Sequence, residues 1–197
     1  MRVIADHHQG SFSLLVEQGA GEFHHRAYPR LRLHVSIRKS AEIEQRAGAD
    51  EFDLGIAMRV LDPISSAQHH PLNRETLHWV AAADYRLPAS GVLPLVVLPA
   101  DCALQRYALK RLEQNHVPFT LAHSASGIAG LQMAVAAGLG MACVNASVIT
   151  AGIEPLKASQ GLPTLPEVEF SRVAPRADER ALIAQVRDVL IGELGHR

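Results

Sequence analysis

The chain has 197 residues, of which 48% are hydrophobic and 20% are charged, so it can bury a sizeable core and is typical of globular proteins. Nineteen basic residues are balanced by 20 acidic ones, and the net charge of -1 argues against direct binding to nucleic acid. The sequence has no apolar run of 18 residues and no apolar leader at its start, so we expect a cytoplasmic protein without membrane association.

In the first part of the chain, short strands alternate with helices. Strands are predicted over residues 2–5, 31–37 and 52–58. Ser11 is expected to cap a helix after the first strand, and Ser40 is the expected N-cap of a short helix after the second. The polar segment 61–74 is predicted to consist of turns, and a subdomain change is expected near residues 75–78.

The second part repeats this alternation. Its predicted strands include residues 77–82, 93–98, 141–144 and 168–173. Asp101 is expected to cap a helix that carries Leu104, Ala108 and Leu112, and a final amphipathic helix is predicted from about Asp178. Strands that alternate with helices throughout predict an α/β architecture with mostly parallel sheets.

Residues 119–144 are the most informative stretch, because they read as strand, serine-rich turn, helix, glycine stop and second buried strand. Ser124 and Ser126 lie where the first strand ends and the helix opens, while Gly138 and Gly140 end that helix. Hydroxyl groups beside the free N–H groups of a helix N-terminus favour anions. The stretch therefore predicts a βαβ unit with a place for a small ligand.

Six phrases, in this order, resemble the effector-binding domain of LysR-type transcriptional regulators. They are YPRLRLHV, EFDLGIAM, ETLHWVAAADYRL, LPLVVLP, HSASGIAGLQMAVAAGLGMACV, and the closing strand with its helix, and they cover nearly the whole chain. The wording WVAAADYRLP is similar to the branch that includes regulators of the LrhA, HexA and PecT type. The resemblance implies the periplasmic-binding-protein type 2 fold, with two Rossmann-like lobes joined by two crossover strands. The implied lobes are residues 1–76 with 168–197, and residues 77–167.

The resemblance also implies a function. Family members close on a small-molecule effector, often a carboxylate or an amino acid, and associate as a homodimer or tetramer. The family's winged helix-turn-helix and linker helix have no counterpart here, because residues 1–5 already match the first strand of the effector domain. We therefore expect contact with DNA only through a missing N-terminal domain. The sequence leaves open whether the chain is a fragment or a stand-alone sensor.

The resemblance places ligand contacts at the ends of strands. The residues at those positions are Gln9, Gly10, Ser11, Ser40, Pro99, Ala100, Asp101, Ser124, Ala125 and Ser126. Asn145, where the family commonly has proline, would add a polar group. Helix capping explains Ser11, Ser40 and Ser126 about as well as ligand contact, and Asp101 is favoured as a cap because its charge would repel a carboxylate.

Other chemistry is weakly indicated. The histidine doublets lack the spacing of metal ligands, so no metal and no cofactor are expected. Cys102, at a helix N-terminus, could sense oxidants, although an inert thiol is favoured, and Cys143 is expected to be packing in a core strand. No nucleophile and base are paired, so we expect no enzyme. A stand-alone solute-binding protein or a small enzyme on the same fold is the alternative.

Overall fold

The computed structural model describes residues 2–6, 32, 34–47, 52–61, 70–157, 161–173 and 181–195. These ranges hold the strands β1 (Arg2–Asp6), β2 (His34–Arg38), β3 (Leu54–Val60), β4 (His70–Ala82), β5 (Leu93–Val97), β6 (Phe119–Ser124), β7 (Ala142–Asn145), β8 (Ile153–Pro155) and β9 (Glu167–Val173). The α-helices in the same ranges are α1 (Ser40–Gln45), α2 (Ala103–Gln114), α3 (Ile128–Ala136) and α4 (Ala181–Gly195), and Ala146–Val148 is a 3-10 turn. Of the helices described, none is long and apolar enough to span a membrane. The predicted α/β class is confirmed.

The chain divides into two compact units. Unit 1 comprises residues 1–74 and 169–197, and unit 2 comprises residues 75–168. Both divisions fall inside a strand, because β4 spans residues 70–82 and β9 spans residues 167–173. β4 therefore enters unit 2 at Glu75, and β9 returns to unit 1 at Glu169.

Unit 1 is built on parallel strands. β1 pairs in parallel with β2 on one side and with β3 on the other. Val3, Leu54 and Ile56 are buried in these strands. Against them, Ile43 of α1 packs with Phe52, and Gly55 leaves the room that this requires, since a Cβ there would lie 2.6 Å from the Phe52 ring.

Unit 2 combines parallel and antiparallel pairing. β5 and β6 are parallel, and Met141, just before β7, makes a parallel bridge to Leu95 of β5. β5 thus lies between the two strands of the predicted βαβ unit, and α3 crosses over it. β4 is the exception to the predicted parallel arrangement, because it pairs antiparallel with both β7 and β8.

The core of unit 2 lies between these strands and α2. Trp79, Leu95, Leu112 and Met141 are among its buried members. The indole N–H of Trp79 donates a hydrogen bond of 2.9 Å to the carbonyl of Pro163, so the single tryptophan is both packed and satisfied.

The prediction of turns over residues 61–74 is wrong for residues 70–74, which begin β4. The polar composition of this segment has a structural reason. Arg74 donates two hydrogen bonds, of 3.0 and 2.9 Å, to one carboxylate oxygen of Glu169 on β9. A strand whose side chains pair with a neighbouring strand or face water lacks the apolar pattern by which strands are recognised.

The remaining helix predictions fall partly outside the described residues. The helix expected after Ser11 lies wholly outside them. The last helix, expected from about Asp178, is described from Ala181 to Gly195.

Candidate functional site

Two of the predicted ligand segments meet at one edge of unit 2. Val97 of β5 is in register with Ser124 of β6, and the N–H of Ala125 donates a hydrogen bond of 2.9 Å to the carbonyl of Val97. Because both strands end here and are parallel, the loops after them are neighbours. Residues 99–101 and residues 124–126 therefore follow neighbouring strand ends.

The N-terminus of α3 opens directly from this edge. Its N-cap is Gly127, with φ −168° and ψ 175°, which has no side chain to accept from the first-turn amides. The capping interpretation of Ser126, which the sequence left open beside ligand contact, is wrong, because Gly127 is the N-cap. Ser124 and Ser126 are both exposed before it. Their hydroxyls and the amides of the first helical turn are the groups that an anion would bind.

The N-terminus of α2 is arranged differently. Cys102 is its N-cap, and the sulfur accepts a hydrogen bond of 3.5 Å from the N–H of Gln105. The N–H of Cys102 donates to the carbonyl of Pro99 across 2.9 Å. This turn places Asp101 one residue before the cap, so the prediction of a capping Asp101 is wrong. Pro99, Ala100 and Asp101 are all exposed.

Neither cysteine forms a disulfide. Cys102 is buried, and Cys143 is half-buried at the rim of the unit 2 core, where packing was expected of it. Burial raises the pKa of the Cys143 thiol well above its usual range, and Cys102 adds to the rise. A thiol that stays protonated is a poor nucleophile, so the chemistry of Cys143 at neutral pH is that of an apolar side chain.

Asn145 lies at the end of β7, beside the same edge. It is 0% exposed, and its amide nitrogen donates to Glu75 Oε2 at 2.7 Å and to Ser147 Oγ at 3.0 Å. The N–H of Ser147 donates to the same Glu75 oxygen at 2.8 Å. The carboxylate thus caps the 3-10 turn from a different strand, where a negative charge is favourable.

Gln132 of α3 binds the other end of this turn. Its side-chain nitrogen donates a hydrogen bond of 2.7 Å to the carbonyl of Val148. Glu75 and Gln132 were both missed from the sequence. Both lie within phrases that carry the family resemblance, but each acts through a partner distant along the chain, so no local signal would have identified their roles.

The predicted residues of the first part of the chain are only partly described. Gln9, Gly10 and Ser11 lie outside the described residues. Ser40 belongs to unit 1, where Lys39 and not Ser40 is the N-cap of α1. The Ser40 hydroxyl instead accepts a hydrogen bond of 2.7 Å from the N–H of Met58 on β3, which fixes the start of α1 to the sheet.

Metal-binding side chains do not cluster in the part of the chain that the structure describes. Within those residues, no three histidine, cysteine, aspartate or glutamate side chains gather as a metal site requires. Most residues of the histidine doublets lie outside the described ranges.

A family model described as the LysR substrate binding domain matches residues 21–194 of the chain. The chain belongs to this family. LysR substrate-binding domains are parts of transcription regulators, and a regulator is among this chain's relatives. The HTH-type transcriptional regulator PecT of Dickeya dadantii (strain 3937) is 28% identical over 143 residues, which are 73% of this chain and 44% of PecT. The chain thus spans less than half the length of that relative. The family resemblance found in the sequence is confirmed.

Solved regulatory domains share the fold of this LysR domain. The apo regulatory domain of HypT from Salmonella typhimurium has a TM-score of 0.78 at 14% identity, with 100% of this chain and 96% of that one covered. The CcmR regulatory domain of Synechocystis PCC6803, in complex with 2-PG, has a TM-score of 0.67 at 13% identity, with 98% and 96% covered. The predicted type 2 periplasmic-binding-protein fold is confirmed.

Proposed function

We propose that this LysR domain senses a small anionic effector, a carboxylate or an amino-acid-like anion, at the edge of unit 2 where β5 and β6 end. The observation that carries the proposal is the hydrogen bond from Ala125 to Val97, which places the loop before α3 beside the loop before α2. Two helix N-termini at one edge direct positive partial charge to the same place.

The two helix N-termini are not equivalent. The first turn of α3 follows a glycine N-cap and two exposed serines, Ser124 and Ser126. The N-terminus of α2 already has a partner in the Cys102 sulfur, and Asp101 beside it is exposed and negative. We therefore propose that the carboxylate of the effector binds α3, and that Pro99, Ala100 and Asp101 form the adjoining wall.

A solved structure with the same fold supports a small-molecule effector. The CcmR regulatory domain is described in complex with 2-PG, and it has the same fold as this chain. The effector contacts predicted for Gln9, Gly10, Ser11 and Ser40 stay predictions. Asn145 is proposed as a support of the site, since its amide is directed to Glu75 and Ser147.

The proposal extends to the partners. Family membership supports a regulatory rather than a catalytic role. We propose that the regulator acts in the cytoplasm and associates as a homodimer or tetramer. A net charge of -1 gives no electrostatic attraction to phosphate, so we propose that contact with DNA is made by a helix-turn-helix domain outside these 197 residues. The description of PecT as an HTH-type regulator supports this assignment.

Calorimetric titration with 2-PG, acetate and small amino acids tests the proposal. We expect at least one of these anions to bind, and Ser126→Trp to weaken that binding at least about tenfold by filling the space before α3. Ser90→Trp, at another exposed serine of unit 2, is the matched control and should bind as the parent does. Binding that survives Ser126→Trp unchanged, or no binding by any of these anions, would contradict the proposed site.

A further inference from the structure

The 3-10 turn Ala146–Val148 is bound at both ends by side chains from other elements of unit 2. At its start, the carboxylate of Glu75 on β4 accepts the Ser147 N–H at 2.8 Å. At its end, the Val148 carbonyl accepts from Gln132 of α3 at 2.7 Å. The turn therefore connects a helix to a strand through side-chain hydrogen bonds.

The connection to β4 is short and charge-assisted. The ladder between β4 and β7 ends at the pair Leu77 and Asn145, where the chain leaves the strand for the turn. Glu75 lies two residues before Leu77, so its side chain is on the same side of β4. It accepts from Asn145 and from Ser147 with one oxygen, which continues the link between the two strands beyond their last backbone pair.

The connection to α3 begins near the candidate site. Gln132 lies little more than one helical turn beyond Gly127, the N-cap of α3. A helix moves as a rigid element over so short a distance, so a displacement at its N-terminus also displaces the Gln132 amide. The Val148 carbonyl, bound to that amide, would follow.

We propose that Gln132, the turn 146–148 and Glu75 form a relay that transmits a change at the N-terminus of α3 to β4, the strand that enters unit 2 at Glu75. The regulatory meaning of this relay rests on the proposed function, in which the effector occupies the N-terminus of α3. Gln132 and Glu75 are positioning residues, because they hold the two ends of the turn and need not touch the effector.

The relay can be tested without the effector by placing a negative charge at the N-terminus of α3. Gly127→Asp does this: the backbone at Gly127 is extended, and a Cβ there meets nothing within 4 Å. An aspartate N-cap stabilises a helix. Hydrogen exchange should then slow roughly fivefold in the first turn of α3, in residues 145–148 and at Leu77.

Gln132→Met in the Gly127→Asp background separates the relay from general stabilisation. We expect the slowing in α3 to remain and the slowing in residues 145–148 and at Leu77 to disappear. Gln114→Met, at an exposed glutamine of α2, is the matched control and should leave the whole response intact. The amides of β5, at residues 93–97, serve as an internal reference for unit 2.

Two results would overturn the relay. In the first, Gly127→Asp slows hydrogen exchange in residues 145–148 and at Leu77 equally whether residue 132 is the native Gln132 or carries Gln132→Met. In the second, they do not respond, or respond only as much as β5. These outcomes do not depend on anion binding. If Gly127→Asp slows exchange in residues 145–148 and at Leu77 but no anion binds the chain, the proposed function is contradicted and the coupling between α3 and β4 still holds.

Discussion

Asn145 donates its side-chain amide to Glu75 across 2.7 Å, and both residues lie in unit 2. Asn145 is fully buried at the end of β7, and Glu75 is the residue at which β4 enters the unit. The buried amide of Asn145 is thus matched by a carboxylate on another strand. Its amide stabilises the turn that follows β7.

The Glu75 carboxylate is therefore expected to contribute to stability. Glu75→Ala leaves the Asn145 amide and the Ser147 N–H without this acceptor, which costs about 1–3 kcal/mol of unfolding free energy. Denaturation in urea measures the difference. Glu113→Ala, at an exposed glutamate of α2, should stay within about 0.5 kcal/mol of the parent, and an equal loss in both variants would refute the role given to Glu75.

Two glycines after α3 are expected to differ in their tolerance of alanine. Both have a positive φ, +74° at Gly138 and +158° at Gly140. A Cβ at Gly138 meets nothing within 4 Å, whereas one at Gly140 would lie 2.5 Å from the Pro94 carbonyl oxygen, which also accepts the Met141 N–H. Gly138→Ala should lower the free energy of unfolding by about 1 kcal/mol, and Gly140→Ala should lower it by about 3 kcal/mol. Thermal melting of the two variants compares them, and the opposite order would contradict this packing.

The ion pair between Arg74 and Glu169 is expected to be asymmetric. The side chain of Arg74 is 58% exposed, while that of Glu169 is 9% exposed and also accepts from the Ser171 hydroxyl at 3.0 Å. Arg74→Ala leaves the buried Glu169 carboxylate with fewer partners and should lower the free energy of unfolding by about 2–4 kcal/mol. Glu169→Leu should cost less, because the exposed guanidinium of Arg74 is then hydrated by water.

The double variant Arg74→Ala with Glu169→Leu should consequently be more stable than Arg74→Ala alone. Urea denaturation of the two single variants and the double variant gives the coupling between these positions. If removing Glu169 costs as much in the Arg74→Ala background as in the parent, the two side chains do not interact as the structure indicates.

The buried thiol of Cys143 predicts a loss of stability at alkaline pH. Its pKa is raised by burial and by Cys102 above the ordinary value of 9.0, so the folded chain keeps a proton that the unfolded chain releases. The free energy of unfolding should fall as the pH rises above 9, with a slope approaching about 1.4 kcal/mol per pH unit. Well below pH 9 the thiol is protonated in both the folded and the unfolded chain and contributes no pH dependence.

Urea titrations around pH 9 measure this slope where the half-buried Tyr85, whose pKa is raised from 10.0, contributes little. Cys143→Ala should reduce the slope in this range by the contribution of one group. An unchanged slope would show that the thiol ionises as readily in the folded chain as in the unfolded one.

The elements with strong apolar patterns were predicted well from the sequence. The strands expected over residues 93–98, 141–144 and 168–173 correspond to β5, β7 and β9. Each is largely buried, and in β5 and β7 burial produces a nearly continuous apolar run, whereas β9 buries Glu169 and Ser171 as well as apolar side chains. The first residues of β4 were missed because residues 71–74 are exposed or half-buried and Arg74 is paired with a polar partner.

The details of the site were harder to predict. The three candidate caps that the structure describes, Ser40, Asp101 and Ser126, are each one residue from the observed N-cap. The observed N-caps are Lys39, Cys102 and Gly127, and each adjoins a residue type that is more strongly preferred at an N-cap, so side-chain preference alone selects the wrong position. The bonds from Asn145 and Ser147 to Glu75 span 70 and 72 residues, a separation at which single-sequence patterns carry no information.

An NMR titration tests most directly the claim that an effector anion binds the N-terminus of α3. The nitrogen-15-labelled chain would be titrated with 2-PG and with small carboxylates and amino acids, while the backbone amide signals are followed. For an anion that binds, we expect the largest shifts at the amides of residues 125–130, with smaller shifts over residues 99–102. Shifts concentrated elsewhere in the chain, or no shift of these amides with any of the anions, would contradict this claim.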